Sequence, residues 1–117
     1  MLIDVDIVLR DREDAISEQI LHTGNAVADW TEADVESVLK EMLLAMDRAK
    51  HPESATRHVA LRGFSWIVEP TNAGVVIAIE MPTGAAVAGP FDIEHARLDG
   101  LITRVLAAAA PARPVVH

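Results

Sequence analysis

The segment Thr31 to Lys50, TEADVESVLKEMLLAMDRAK, constrains this chain more than any other. Its apolar residues Val35, Val38, Leu39, Met42, Leu43, Met46 and Ala49 recur at intervals of three and four. On a helix of about 3.6 residues per turn they form one continuous stripe. Such a stripe needs a second apolar surface, because tertiary packing supplies most of a helix's stability. The start of the helix is well marked. Thr31 suits the N-cap, Asp34 can complete a capping box, and Trp30 with Val35 can form a hydrophobic staple. Glu36 and Lys40 add a favourable i,i+4 pair. His51-Pro52 ends the helix, since the residue before a proline resists helical geometry.

The rest of the chain supplies the opposing surface. In LIDVDIVLR, residues 2–10, Ile3, Val5, Ile7 and Leu9 point one way, and Asp4, Asp6 and Val8 the other. That is a strand with one wet face. Asp11 then caps a predicted short helix over 12–23, with Ala15, Ile16, Ile20 and Leu21 as its apolar side and Gly24 at its end. Residues 57–69, RHVALRGFSWIVE, read as a strand whose phase changes at Gly63, so a bulge is expected at Arg62-Gly63. PTNAG makes a turn, and GVVIAIEM over 74–81 returns as the second arm of an antiparallel hairpin. PTGAAVAGP gives a turn and a short edge strand at Ala85–Ala88. Asp92 caps a last helix to about Ala109, with a stripe of Leu98, Leu101, Ile102, Val105 and Leu106.

The expected order is β-α-α-β-β-(β)-α. This is an α+β fold: a mainly antiparallel sheet of three or four strands with amphipathic helices packed on one face. Residues 1–110 form one domain, and the proline-bearing tail 111–117 frays. A pairing tail would bring the order close to a ferredoxin-like one, but Pro111 and Pro114 argue against it.

Half of the residues are hydrophobic and only 3% are aromatic, so the core must be aliphatic. Cysteine is absent, which removes disulfides, thiolate metal sites and cysteine nucleophiles. The net charge is -8, and the Arg and Lys residues are scattered singly. Direct nucleic-acid binding, which needs a basic face, is not expected. The acidic start MLIDVDIV does not resemble a signal peptide, and no run reaches the ~18 apolar residues of a membrane span. A cytoplasmic location is expected.

Motifs for chemistry are sparse. His22, His51, His58, His95 and His117 fall in no recognised metal spacing, so no metal is expected. Asp4 and Asp6 share a strand face, where solvation is their ordinary role, and Glu69 or Glu80 joins them only if the register allows. No G-x-S-x-G elbow surrounds Ser65, and PTGAAVAGP lacks the Lys-Ser/Thr end of a phosphate loop. No cofactor is expected.

The hairpin carries apolar residues on both faces, so some apolar surface should remain after the helices dock. The leading expectation is a non-catalytic protein-interaction module or adaptor, homodimeric, working through the less-covered sheet face near Phe64, Trp66, Ile67 and Val76 or the edge at Ala85–Ala88. The bland alternative has the short helix 12–23 covering that face. Two other readings stand beside it. One is a small enzyme using Asp4, Asp6, Glu80 and His58 in a sheet-helix cleft. The other is an acidic phosphate mimic that inhibits a basic partner.

Overall fold

Alternation in the first strand sets up the whole architecture. In a computed structural model, which describes residues 1–53 and 59–109, β1 (Leu2–Leu9) buries Ile3, Val5, Ile7 and Leu9 and exposes the residues between them. It is followed by β2 (Ile16–Leu21), α1 (Glu32–Lys50), β3 (Ser65–Thr71), β4 (Gly74–Met81), β5 (Gly84–Phe91) and α2 (His95–Ala109). A short 3-10 turn at Val27–Asp29 precedes α1. The five strands form one antiparallel sheet in the order β2-β1-β5-β4-β3. Helix α1 therefore carries the chain from one edge of the sheet to the other. Both helices lie on the same face, packed on each other.

The α+β class, the antiparallel hairpin and the one-sided helix layer agree with the sequence. Three elements differ. The predicted helix 12–23 is strand β2. Ile16 and Ile20 are four apart, a spacing that fits a helical stripe and a strand face equally well. Pairing decides it: Ile16 sits opposite Ile7 and Ile20 opposite Ile3, which completes the buried rows of β1. No helix is therefore available there to cover the other sheet face.

The predicted edge strand at Ala85–Ala88 is the centre of the eight-residue β5, hydrogen-bonded to β1 on one side and β4 on the other. Alanine and glycine have low strand propensity, which hides the element. Their small size serves the packing instead: Ala86 and Ala88 are fully buried beneath the helix layer. Being central, this segment has no free edge for peptide pairing.

The third difference is the bulge. Strand β3 starts only at Ser65, so Gly63, with φ +79, turns the chain before the strand rather than kinking it within. Part of the predicted strand 57–69 and the tail 111–117 lie outside the described residues, as does His58. Helix α2 also begins at His95, with Leu98 N–H donating to the Glu94 carbonyl, so Asp92 stands ahead of the cap.

The entry into α1 is fixed by one buried carboxylate. Asp34 Oδ1 accepts from His22 Nε2 at 3.0 Å and from the Asn25 N–H at 3.0 Å. Its Oδ2 accepts from Asn25 Nδ2 at 2.9 Å, from the Thr31 N–H at 2.9 Å and from Thr31 Oγ1 at 3.1 Å. The capping box read from the sequence is present, enlarged by His22 and Asn25. Trp30 is buried rather than merely a staple. It stands edge-on to His22 with centroids 5.6 Å apart and leans on Phe91 at 5.0 Å. Gly24 passes so close that a Cβ there would run into Asp34 Oδ1 and the His22 ring.

Burial alone raises the Asp34 pKa, but the donors of Thr31 and Asn25 outweigh it and hold the carboxyl well below its ordinary 3.8. A depressed folded-state pKa stabilises the fold fully above the ordinary value, and that contribution drains away as pH falls toward the folded one. Asp34→Asn is expected to cost roughly 2–4 kcal/mol in urea denaturation near neutral pH, because an amide turns two donors toward donors already present. The gap between wild type and variant should narrow between about pH 5 and about pH 2. Gly24→Ala should cost roughly 1–3 kcal/mol in the same measurement.

Candidate interaction surface

With both helices on one side, no element among the described residues covers the second face of the sheet. Register places its residues in rows across the strands. Ser17, Asp6, Val87, Ala78 and Ile67 form the middle row, reading from β2 to β3. Val8, Ala85, Glu80 and Ser65 form the next row toward the β4–β5 turn. Gln19 pairs with Asp4 on one side of the sheet, and Val76 with Glu69 on the other. At the far corner Leu2 lies opposite Leu21, and both are more than 60% exposed.

An apolar stripe thus runs across strands β1, β5, β4 and β3. Val8 is 46% exposed, Val87 39% and Ile67 52%, with the half-buried Ala85, Ala78 and Val76 between them. A shallow hollow of about 210 Å³ lies among Ile67, Ala78, Glu80 and Ala85. Exposed large side chains gathered on one surface mark a contact site more often than scattered ones do.

Carboxylates flank the stripe. On the β1 side Asp6 Oδ1 accepts from Ser17 Oγ at 2.8 Å, and Asp4 Oδ1 accepts from Gln19 Nε2 at 3.0 Å. A second hollow lies over these groups, beside Gly89. Glu80 and Glu69 stand on β4 and β3. Glu80 is two strands from β1 and one row away from Asp6, so about 10 Å or more separates their backbones. The register therefore does not bring Glu80 or Glu69 onto Asp4 and Asp6. Among the described residues no group of three His, Asp or Glu side chains has metal-binding geometry.

The four residues singled out from sequence divide between the two faces. Ile67 and Val76 lie on the open one. Trp66 pairs with the buried Ile79, and both Trp66 and Phe64 pack half-buried against the core on the helix side. The alternation within SWIV already separates Trp66 from Ile67. Val8 joins Ile67 and Val76 although it alternates with the wet residues of β1, and Val87 belongs to the 85–88 segment, whose place on this face comes from its being a central strand rather than an edge.

The buried His22–Asp34 pair is a second cluster that sequence spacing did not suggest, since its members are 12 apart in the chain. Both side chains are under 7% exposed, and Asp34 spends both oxygens on neighbouring donors. The hydroxyl nearest to it, Thr31 Oγ1, donates to Asp34 as part of the cap. This arrangement holds a chain corner; it does not present a nucleophile to a substrate.

Among the described residues no helix is long and apolar enough to cross a membrane. No family model, curated protein or solved structure matches this chain.

Proposed function

We propose that this protein is a cytoplasmic protein-interaction module whose working surface is the open sheet face, and that its first partner is a second copy of itself. One observation carries the reading: the helices cover a single face, and the other presents Val8, Val87 and Ile67 in adjoining rows. Five strands about 4.8 Å apart, each roughly 20–25 Å long, give a flat footprint on the order of 500 Å². Two such faces together bury on the order of 1,000 Å², about the lower bound for a specific interface.

Aligned packing of two twisted sheets is a common way to close such a face. A two-fold axis along β5 sets Val87 against its own copy and places β1 over the partner's β4. In that arrangement Asp4 and Asp6 do not meet themselves, which limits like-charge repulsion. No catalytic role is needed for any residue of the face.

A second reading is favoured by the flanking acids. Asp4, Asp6, Glu69 and Glu80 border the apolar stripe, and the whole chain carries a net charge of -8. A segment of another protein with apolar residues between Lys or Arg side chains fits the same surface. An adaptor or chaperone for a basic client would work in this way.

Light scattering after size exclusion should give twice the chain mass. Val87→Lys and Ile67→Asp are expected to return the mass to that of one chain while leaving the thermal midpoint nearly unchanged, since both side chains face outward. A wild-type protein that stays monomeric at high micromolar concentration refutes the homodimer. Salt-sensitive binding of a basic client by that monomer would then select the second reading.

A further inference from the structure

A separate cleft lies on the helix side, at the opposite end of α1 from Asp34. The last turns of α1 form one wall, Val59, Ala60, Arg62 and Gly63 ahead of β3 form another, and the β4–β5 turn closes the base. Its volume is about 440 Å³, within the roughly 300–1,000 Å³ typical of small-molecule sites. Leu43, Met46, Val59 and Met81 supply an apolar lining. Two of these are methionines, whose unbranched side chains adapt to the shape of an inserted chain. Gly63 lines the opening, and a Cβ built on it would meet open space.

The rim is cationic in an otherwise acidic protein. Lys50 and Arg62 both border the cleft, both are exposed, and neither has an ion-pair partner among the described residues. Several other cations are engaged: Lys40 with Glu36 at 3.2 Å, Arg104 with Glu32 at 3.2 Å, Arg48 with Glu18 at 3.6 Å, and Arg97 with the carbonyls of Ala28 and Trp30. Arg10 and Arg12, in the β1–β2 connection, make no ion pair among the described residues but do not border this cleft. Asp47 also stands on the rim, half-buried and with a partner of its own. Asp47 is already engaged, so the two exposed cations leave the rim positive and suited to an anionic head group. A planar carboxylate matches the fork of an arginine and leaves the lysine as a second point of attraction.

We infer that this cleft binds an unbranched aliphatic carboxylate, with its chain among Leu43, Met46, Val59 and Met81 and its head between Lys50 and Arg62. The site is distinct from the open sheet face and does not depend on the function proposed for that face.

Sodium decanoate is the probe, titrated into the full chain below its micelle concentration and followed by calorimetry and amide NMR. Saturable binding of one molecule per chain is expected, with shifts at 59–63, at 81–83 and at the end of α1. The double variant Lys50→Glu/Arg62→Glu, which changes only exposed side chains, should weaken binding at least tenfold. Ala60→Trp, which adds bulk to the lining, should abolish it. Decyltrimethylammonium has the same tail and the opposite charge, and it should bind at least tenfold more weakly than decanoate. Absence of saturation overturns the inference. So do shifts confined to Val8, Ile67 and Val87, an unchanged affinity in the double variant, or equal binding of the cation.

Discussion

Asp34 is the point from which the rest of the molecule is held. One carboxylate accepts hydrogen bonds from the end of β2, from the loop that follows and from the first residues of the helix it belongs to. A buried charge is costly unless its lone pairs are filled, and here five donors fill them. The chain must therefore turn at this corner in one way. Trp30 is wedged between His22 and Phe91 as a result, and Arg97 of α2 grips the carbonyls of Ala28 and Trp30. Strands β2 and β5 and both helices meet around that tryptophan. His95 Nε2 adds a bond of 2.7 Å to the Val68 carbonyl, which pins the start of α2 to the far edge strand. Both helices are thus fixed to the same face at their N-terminal ends.

Much of this was legible from local pattern, and the failures share one cause. The stripe and cap of α1, the alternation of β1 and the hairpin β3–β4 are written in periodicity and turn chemistry that a single segment carries. Strand β2 is not, because Ile16 and Ile20 fit two periods and only the partner Ile7–Ile3 pair chooses between them. Strand β5 is not, because its alanines are selected by the closeness of the helices above rather than by strand propensity. The His22–Asp34 contact spans a strand end, a loop and a helix start, and no spacing rule reaches across those. At the candidate surface the same limit applies. That Ile67 and Val76 share a face follows from the hairpin, which is local. Trp66 was grouped with them by residue type although the pleat turns it to the other side.

The small residues of β5 have a second consequence. Ala86 and Ala88 let the helix layer settle onto the middle of the sheet, while Val87 on the other side of the same strand is exposed. Val8 on β1 and Ile67 on β3 lie on either side of it. One strand therefore serves both faces: its small residues admit the helices, and its one large residue sits in the middle of the apolar stripe.

The acids beside that stripe decide how readily it can be dehydrated. Asp4 and Asp6 are exposed and make no ion pair among the described residues, so covering them completely would be costly. Each already accepts one hydrogen bond from a neutral neighbour on β2, Gln19 or Ser17. Those bonds survive docking and supply part of what water would otherwise provide. Both lie on β1 next to the β2 edge, where a rim can stay wet. A partner that covers Val8, Val87 and Ile67 but stops short of the β2 edge keeps the apolar gain and leaves the carboxylates hydrated. The same division, an apolar centre with a solvated acidic margin, is what separates a reversible contact surface from a buried core.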